Sequence, residues 1–413
     1  MALRNPITRR RLLRALGLGA VGVVGARVLL PRLWRTGAVG EADEETIEFV
    51  HRCFDGIVRS RMVDTHVHVA GQQQDKSGCW LNPAMRSHLH PTQRLRYELF
   101  MGGAGVERAS DGDEAFVARL IERHNQANAD GRLLLLAFDW FHGDDGKADP
   151  ARSAIHVPDD YVLDLARRHD QVLACASIHP YAEDAIVRLE RVRERGAVAV
   201  KWLPNAQNID GTDLRTRRFA RRLAELGMPL ITHAGDESAL AIEDLAELGN
   251  PLRLRPLLDE GATVVVAHAG SLGSCRDLDN APRSIECFDA FLRLFHDEQY
   301  ERNLIADISG LTFINRCGRP LLEMVLAGDQ HHRLVNGSDY PLVGVDPIVS
   351  TRLLQYRGYL DGEDRRLCEK VFDVNPLLFD FCVKRSLRVN EGGRVYRFSP
   401  TVFETDWLFE TLH

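Results

Sequence analysis

From about residue 41 onward the chain alternates short, almost unbroken apolar runs with longer amphipathic stretches. The runs are Met62–Val69, Arg132–Phe138, Val172–Ile178, Ala197–Leu203, Pro229–Thr232, Thr263–Ala267, Leu304–Ile308 and Arg333–Val335. Between them apolar residues recur at three- and four-residue spacing. That predicts helices over Glu41–Val58, Glu114–Ala129, Asp159–His169, Glu183–Arg195, Leu214–Leu226, Ala281–His296 and Pro320–Ala327, with a further helical region up to Glu260. Strands apolar on both faces are buried on both faces, which points to a parallel sheet. Eight strand–helix units in succession predict a (β/α)8 TIM barrel. An open doubly wound sheet fits less well, because no Gly-x-Gly-x-x-Gly turn follows a strand. Residues 70–112 hold no sustained period and read as an extended loop after the first strand, a candidate lid. Residues 347–385 add C-terminal helices. The expected division is a leader over 1–40, a catalytic barrel over 41–390 and a C-terminal tail packed on it over 391–413.

The leader differs in kind. Thr8–Arg14 is basic, Ala15–Ala26 is uncharged, and Val24-Gly25-Ala26 supplies small residues. A basic head, a short apolar middle and small residues describe an export signal. The arginines ahead of Leu12-Leu13 resemble a twin-arginine signal, a route for proteins that are already folded. The apolar run falls short of the about 20 residues a spanning helix needs. The expectation is an exported, periplasmic protein; the alternatives are a basic, disordered leader or an uncleaved anchor, and a cytoplasmic location. Composition narrows the partners. A net charge of −7 and a pI of about 6.2 leave no basic footprint for nucleic acid. Eight cysteines without a Cys-x-x-Cys pair argue against a zinc cluster or a dense disulfide scaffold. A small-molecule substrate is expected, and a homodimer is the common assembly for soluble oligomers.

Chemistry gathers where the apolar runs end. His66 and His68 are two apart, so on a strand both rings face one side and can grip one ion. Taken alone, that spacing fits an ordinary strand as well. Downstream, however, His179 ends the third run, Lys201 lies in the fourth, and His233, His268 and Asp339 close the fifth, sixth and eighth. In a barrel these ends meet at one mouth. Buried ionisable groups need partners, and a divalent metal answers several imidazoles and a carboxylate at once. Such an ion lowers the pKa of water toward neutrality. Asp339 is then placed to act as general base, and His268 to polarise a carbonyl or carry a proton. His179, Trp202, Asn205 and Glu237 follow or end strands and are candidate substrate contacts, as is Lys201. Asp64 is read as orienting a histidine or as a structural hydrogen-bonding group, and Asp307 as structural, bonding Ser309.

The ordered set of His66-x-His68, Lys201, His233, His268 and Asp339 resembles the amidohydrolase superfamily. Ser177-Ile-His-Pro-Tyr, Gly196–Pro204, Val266-Ala-His-Ala-Gly and Gly337-Ser-Asp-Tyr-Pro resemble its amidohydrolase-related branch, which includes aminocarboxymuconate-semialdehyde decarboxylase and resorcylate decarboxylases. The likeness spans roughly residues 60–385. It implies that His66, His68, His233 and Asp339 hold a divalent ion, foremost zinc, with manganese, iron or cobalt as alternatives. It implies that His268 binds a second ion or moves a proton. Lys201 becomes either a carboxylated bridge between two ions or a cation that meets a substrate carboxylate. The expected activity is metal-dependent hydrolysis of an amide, ester or lactone. The alternatives are a non-oxidative decarboxylase on the same barrel and a metal-binding protein without catalysis.

Overall fold

The computed structural model describes residues 40–69, 77–106, 112–236, 245–280 and 282–410. The leader and Glu237 lie outside them. Eight strands form one sheet in sequence order: β1 (Val63–His68), β2 (Arg132–Leu136), β3 (Val172–Ala176), β4 (Ala197–Trp202), β5 (Leu230–His233), β6 (Val264–Ala267), β7 (Leu304–Asp307) and β8 (Leu334–Val335). Every neighbouring pair is parallel. Their Leu, Val and Ala side chains are buried, Leu173 and Val198 only partly, as fits strands covered on both faces.

β8 is two residues long, yet the ring closes. Past Val335 the chain runs on beside β1. Thr65 N donates to Asn336 O at 3.0 Å, Asp339 N to His66 O at 2.9 Å, and His68 N to Tyr340 O at 3.0 Å. Val67 and Tyr340 form a parallel bridge. The eighth side of the barrel is thus completed by an irregular segment rather than by a strand.

The loop after β1 carries more order than its sequence suggests. Pro91–Ala104 is a helix. Its Gly102-Gly103 pair blurs any amphipathic period, and close packing explains the glycine: a Cβ on Gly103 would stand 2.2 Å from Pro341 O. The helix expected over Ala281–His296 begins only at Cys287. Ser284–Glu286 pairs instead with Ser274–Arg276 as an antiparallel hairpin, and Cys287 N bonds Gly273 O at 3.1 Å. Beyond β8, helices Thr351–Tyr356, Gly362–Val374 and Pro376–Ser386 pack outside the barrel. The tail crosses the N-terminal end of β1, where Thr405 Oγ1 donates to Val63 O at 2.7 Å and Phe403 meets Phe381 at 5.4 Å. No helix among the described residues is long and apolar enough to cross a membrane.

Period-two alternation along β4 sends Lys201 and Trp202 to opposite faces. Lys201 reaches into the barrel, its Nζ 3.4 Å from His66 Nε2. Trp202 leaves it, packing on Phe219 of the Leu214–Leu226 helix at 5.4 Å, with Nε1 donating to Ile178 O at 2.8 Å. The expectation that Trp202 lines the pocket is therefore corrected: it belongs to the layer between strand and helix. Trp202→Ala is expected to lower stability by about 3–5 kcal/mol, read from a urea titration; a loss of about 0.5 kcal/mol or less would contradict this packing.

Candidate metal centre

His66 and His268 and the carboxylate of Asp339 each offer a ligand atom within 4.8 Å of the others, and all three residues are buried. They come from β1, from the turn after β6 and from the segment after β8, all at the C-terminal mouth. His68 stands at the edge of this group, its Nε2 3.0 Å from Asp339 Oδ1. His233 meets His268 edge-on, with ring centroids 5.5 Å apart. Lys201 completes the lining, adjacent to His66. Phe138 stacks on His68 at 5.3 Å, and Phe100 of the Pro91–Ala104 helix lies 6.3 Å from it, so apolar rings cover the outer histidine.

Backbone strain marks the two loop-borne ligands. Asp339 has φ +60°, His268 +54° and Ala269 +51°, left-handed values that non-glycine residues adopt rarely and mostly where function holds them. Gly337 is required by contact, since a Cβ there would lie 2.5 Å from His66 Cβ.

The rings are set for ligation. Burial drives His66, His233 and His268 well below the ordinary imidazole pKa. The charge of Lys201 adds to this at His66 and His233, and that of Arg316 at His233 and His268. Arg316 follows β7, where its Nε donates to Ser271 Oγ at 3.2 Å. Neutral imidazole is the form that binds metal. His66 Nδ1 lies 2.7 Å from Asp307 Oδ2 and His268 Nδ1 2.8 Å from Ser309 O. A carbonyl and a carboxylate only accept, so both Nδ1 atoms carry the proton and both Nε2 lone pairs face the centre. Ser309 Oγ ties the two together, 2.5 Å from Asp307 Oδ2 and 2.8 Å from His268 Nδ1. Asp339 is opposed by burial but held below the usual carboxylate range by the His268, His68 and His66 rings around it.

A divalent cation fits these residues. Neutral nitrogen donors converge on a buried carboxylate, and His68 Nδ1 is buried with no hydrogen-bond partner among the described residues. Nitrogen and oxygen donors without sulfur suit zinc and several other divalent ions.

Other candidates are occupied by the fold. His179 is fully buried, its Nε2 2.8 Å from Gln207 O and its Nδ1 accepting from Tyr181 N at 3.2 Å. With both nitrogens bound to backbone it is structural, which corrects its reading as a substrate contact. Asn205 is buried, with Nδ2 directed at Gly235 O at 3.5 Å. Asp64 bonds neither ring. It accepts from the main chain of Ser338 at 2.7 Å and His66 at 3.2 Å, and burial pushes its carboxyl up to about 7. The expected bond between Asp307 and Ser309 is present, Ser309 N donating to Asp307 Oδ1 at 2.7 Å; sequence reasoning missed the contact of Ser309 with His268 and the grip of Asp307 on His66. The signal for Asp307 was present: a carboxylate ending an apolar strand, as at the other mouth positions.

No protein-family model matches the sequence, and no curated protein does. Solved structures do resemble it. An uncharacterised TIM-barrel protein from Bordetella bronchiseptica is 15% identical over 78% of this chain and 99% of its own, with a TM-score of 0.44. A probable 2-pyrone-4,6-dicarboxylic acid hydrolase from Acinetobacter baumannii, with citric acid bound, is 16% identical over 77% and 95%, with a TM-score of 0.40. A 5-carboxyvanillate decarboxylase from Sphingomonas paucimobilis is 13% identical over 76% and 98%, with a TM-score of 0.39. At such identities the likeness concerns architecture, and the chemistry of this chain has to come from its own residues.

His66→Ala and Asp339→Asn are each expected to abolish zinc retention through dialysis, measured by elemental analysis, while circular dichroism stays that of the parent. Zinc held at parental stoichiometry by both variants would place the ion elsewhere. A second expectation concerns acid. Burial lowers the His179 pKa from 6.5 to about 3. Below 6.5 the unfolded chain takes up a proton that the folded one refuses, so His179 makes stability fall as pH drops toward 3. The slope reaches about 1.4 kcal/mol per pH unit. His179→Gln should flatten that decline in urea titrations at successive pH values.

Proposed function

We propose that the protein is a metal-dependent hydrolase of amidohydrolase type, cleaving an amide, ester or lactone bond of a small organic substrate. The observation that carries this reading is the meeting of His66, His268 and Asp339 at the barrel mouth, within 4.8 Å of one another. When bound there, a divalent ion supplies Lewis-acid polarisation of a carbonyl and a water of lowered pKa.

The rest falls to the chain. Asp339, ionised and facing the imidazoles, accepts the proton of the attacking water and returns it to the leaving group. His268, with its proton fixed on Nδ1 by Ser309, keeps Nε2 directed at the reacting centre. Lys201, buried beside His66, supports negative charge growing on the substrate oxygen and, if carboxylated, would be the residue to hold a second ion. The phenylalanines over His68 limit the access of bulk water. The basic and apolar residues of the leader support action outside the cytoplasm.

A second reading, non-oxidative decarboxylation, is favoured by one feature: the described residues hold a single three-ligand group, which suits one ion. In that reaction the carbon that loses carbon dioxide takes up a proton in its place.

Metal content of the purified protein, combined with a substrate panel, separates these readings. About two equivalents with turnover of amides, esters or lactones supports the hydrolase with bridging Lys201. About one equivalent with carbon dioxide release from aromatic carboxylic acids moves the assignment to the decarboxylase. Absence of metal after loading with zinc and manganese would sink both.

A further inference from the structure

Asp339 lies on an irregular segment that bonds β1 on one side, through Asp339 N to His66 O and Thr65 N to Asn336 O, and is gripped on the other by a second set of contacts. Lys384 is a fully buried lysine on the outer helix Pro376–Ser386. Its Nζ donates to Gly337 O at 2.7 Å, Asn336 Oδ1 at 3.1 Å and Asp380 Oδ2 at 2.7 Å. An ammonium has three donors, and all three are directed. From the other side, Asp64 Oδ1 accepts Ser338 N at 2.7 Å. Asn336, Gly337 and Ser338 are therefore each gripped in the three residues before Asp339. Gly337 in turn abuts His66, so a shift of this turn changes the separation of two ligands.

We propose that Lys384 is a positioning residue for the metal centre, acting through the Asn336–Ser338 turn on Asp339. This rests on the reading of His66, His268 and Asp339 as a metal site. It does not depend on which reaction the site performs. A buried ion pair is weak evidence for stability, and apolar pairs of similar volume often replace one without loss. An apolar pair would fill the space without aiming Gly337 or Asn336. Direction is what the Lys384–Asp380 pair adds.

Cobalt(II) is the probe, because its visible absorption reports ligand geometry. Wild-type protein is expected to bind cobalt(II); failure to bind would overturn the metal reading, and the positioning role with it. Lys384→Met alone strands Asp380 as an uncompensated buried carboxylate and can fail to fold. The working variant is therefore Lys384→Met/Asp380→Leu, with the thermal transition as the control for folding. With wild-type stability, it should bind cobalt(II) about 10- to 100-fold more weakly and show altered visible bands. Should that pair not fold, Lys384→Gln/Asp380→Asn keeps neutral hydrogen-bonding groups there and carries the same readout. Unchanged affinity and unchanged bands in whichever folded variant is used would overturn the proposal.

Discussion

Three imidazoles and a carboxylate withdrawn from water at the convergence of apolar strands are the constraint on which this structure depends. A buried carboxylate is unfavourable without compensation. The barrel answers by gathering these groups at its C-terminal mouth, where ligand atoms of His66, His268 and Asp339 lie within 4.8 Å of one another. The proton of each fixed ring is turned outward, to Asp307 at His66 and to Ser309 O at His268. Ser309 lets both orientations be set by one residue. Its hydroxyl lies within hydrogen-bond distance of both Nδ1 atoms, at 3.2 Å and 2.8 Å, so a change on one ligand is felt by the other.

Much of this was legible in the sequence because burial on two faces leaves a composition that burial on one face does not. Most of the eight runs are rich in Val, Leu, Ile and Ala, and a charged or imidazole side chain closing such a run has few structural reasons to be there. His66, His68, His233, His268 and Asp339 were visible on that ground. Trp202 was misplaced although its signal was present: on a strand, the neighbour of an inward lysine faces out. The Pro91–Ala104 helix was hidden for a different reason. Its glycines answer to contact with Pro341 O, and contact across about 240 residues leaves no local period.

Lys384 shows the limit most clearly. An Asp and a Lys four apart on a helix look like any solvent-facing ion pair. Only the three-dimensional arrangement reveals that both are buried and that the lysine points at the backbone of a turn nearly fifty residues earlier. The hairpin at residues 274–286 is similar. Its two strands are held by their pairing and by the bond from Cys287 N to Gly273 O, contacts that leave no local period.

The seam that closes the barrel carries its own consequence. Asp339 N bonds His66 O within the segment that completes the eighth side, so the hydrogen bonds joining the two ends of the sheet and the ligand atoms belong to the same residues. An ion that binds the folded chain and not the unfolded one adds stability by mass action, and here that free energy acts across the closure itself. Ion occupancy and the integrity of the ring are then thermodynamically linked. A metal held by His66 and Asp339 would act as a fastener for the architecture, and its loss would first be felt as local opening between β1 and the Asn336–Tyr340 segment.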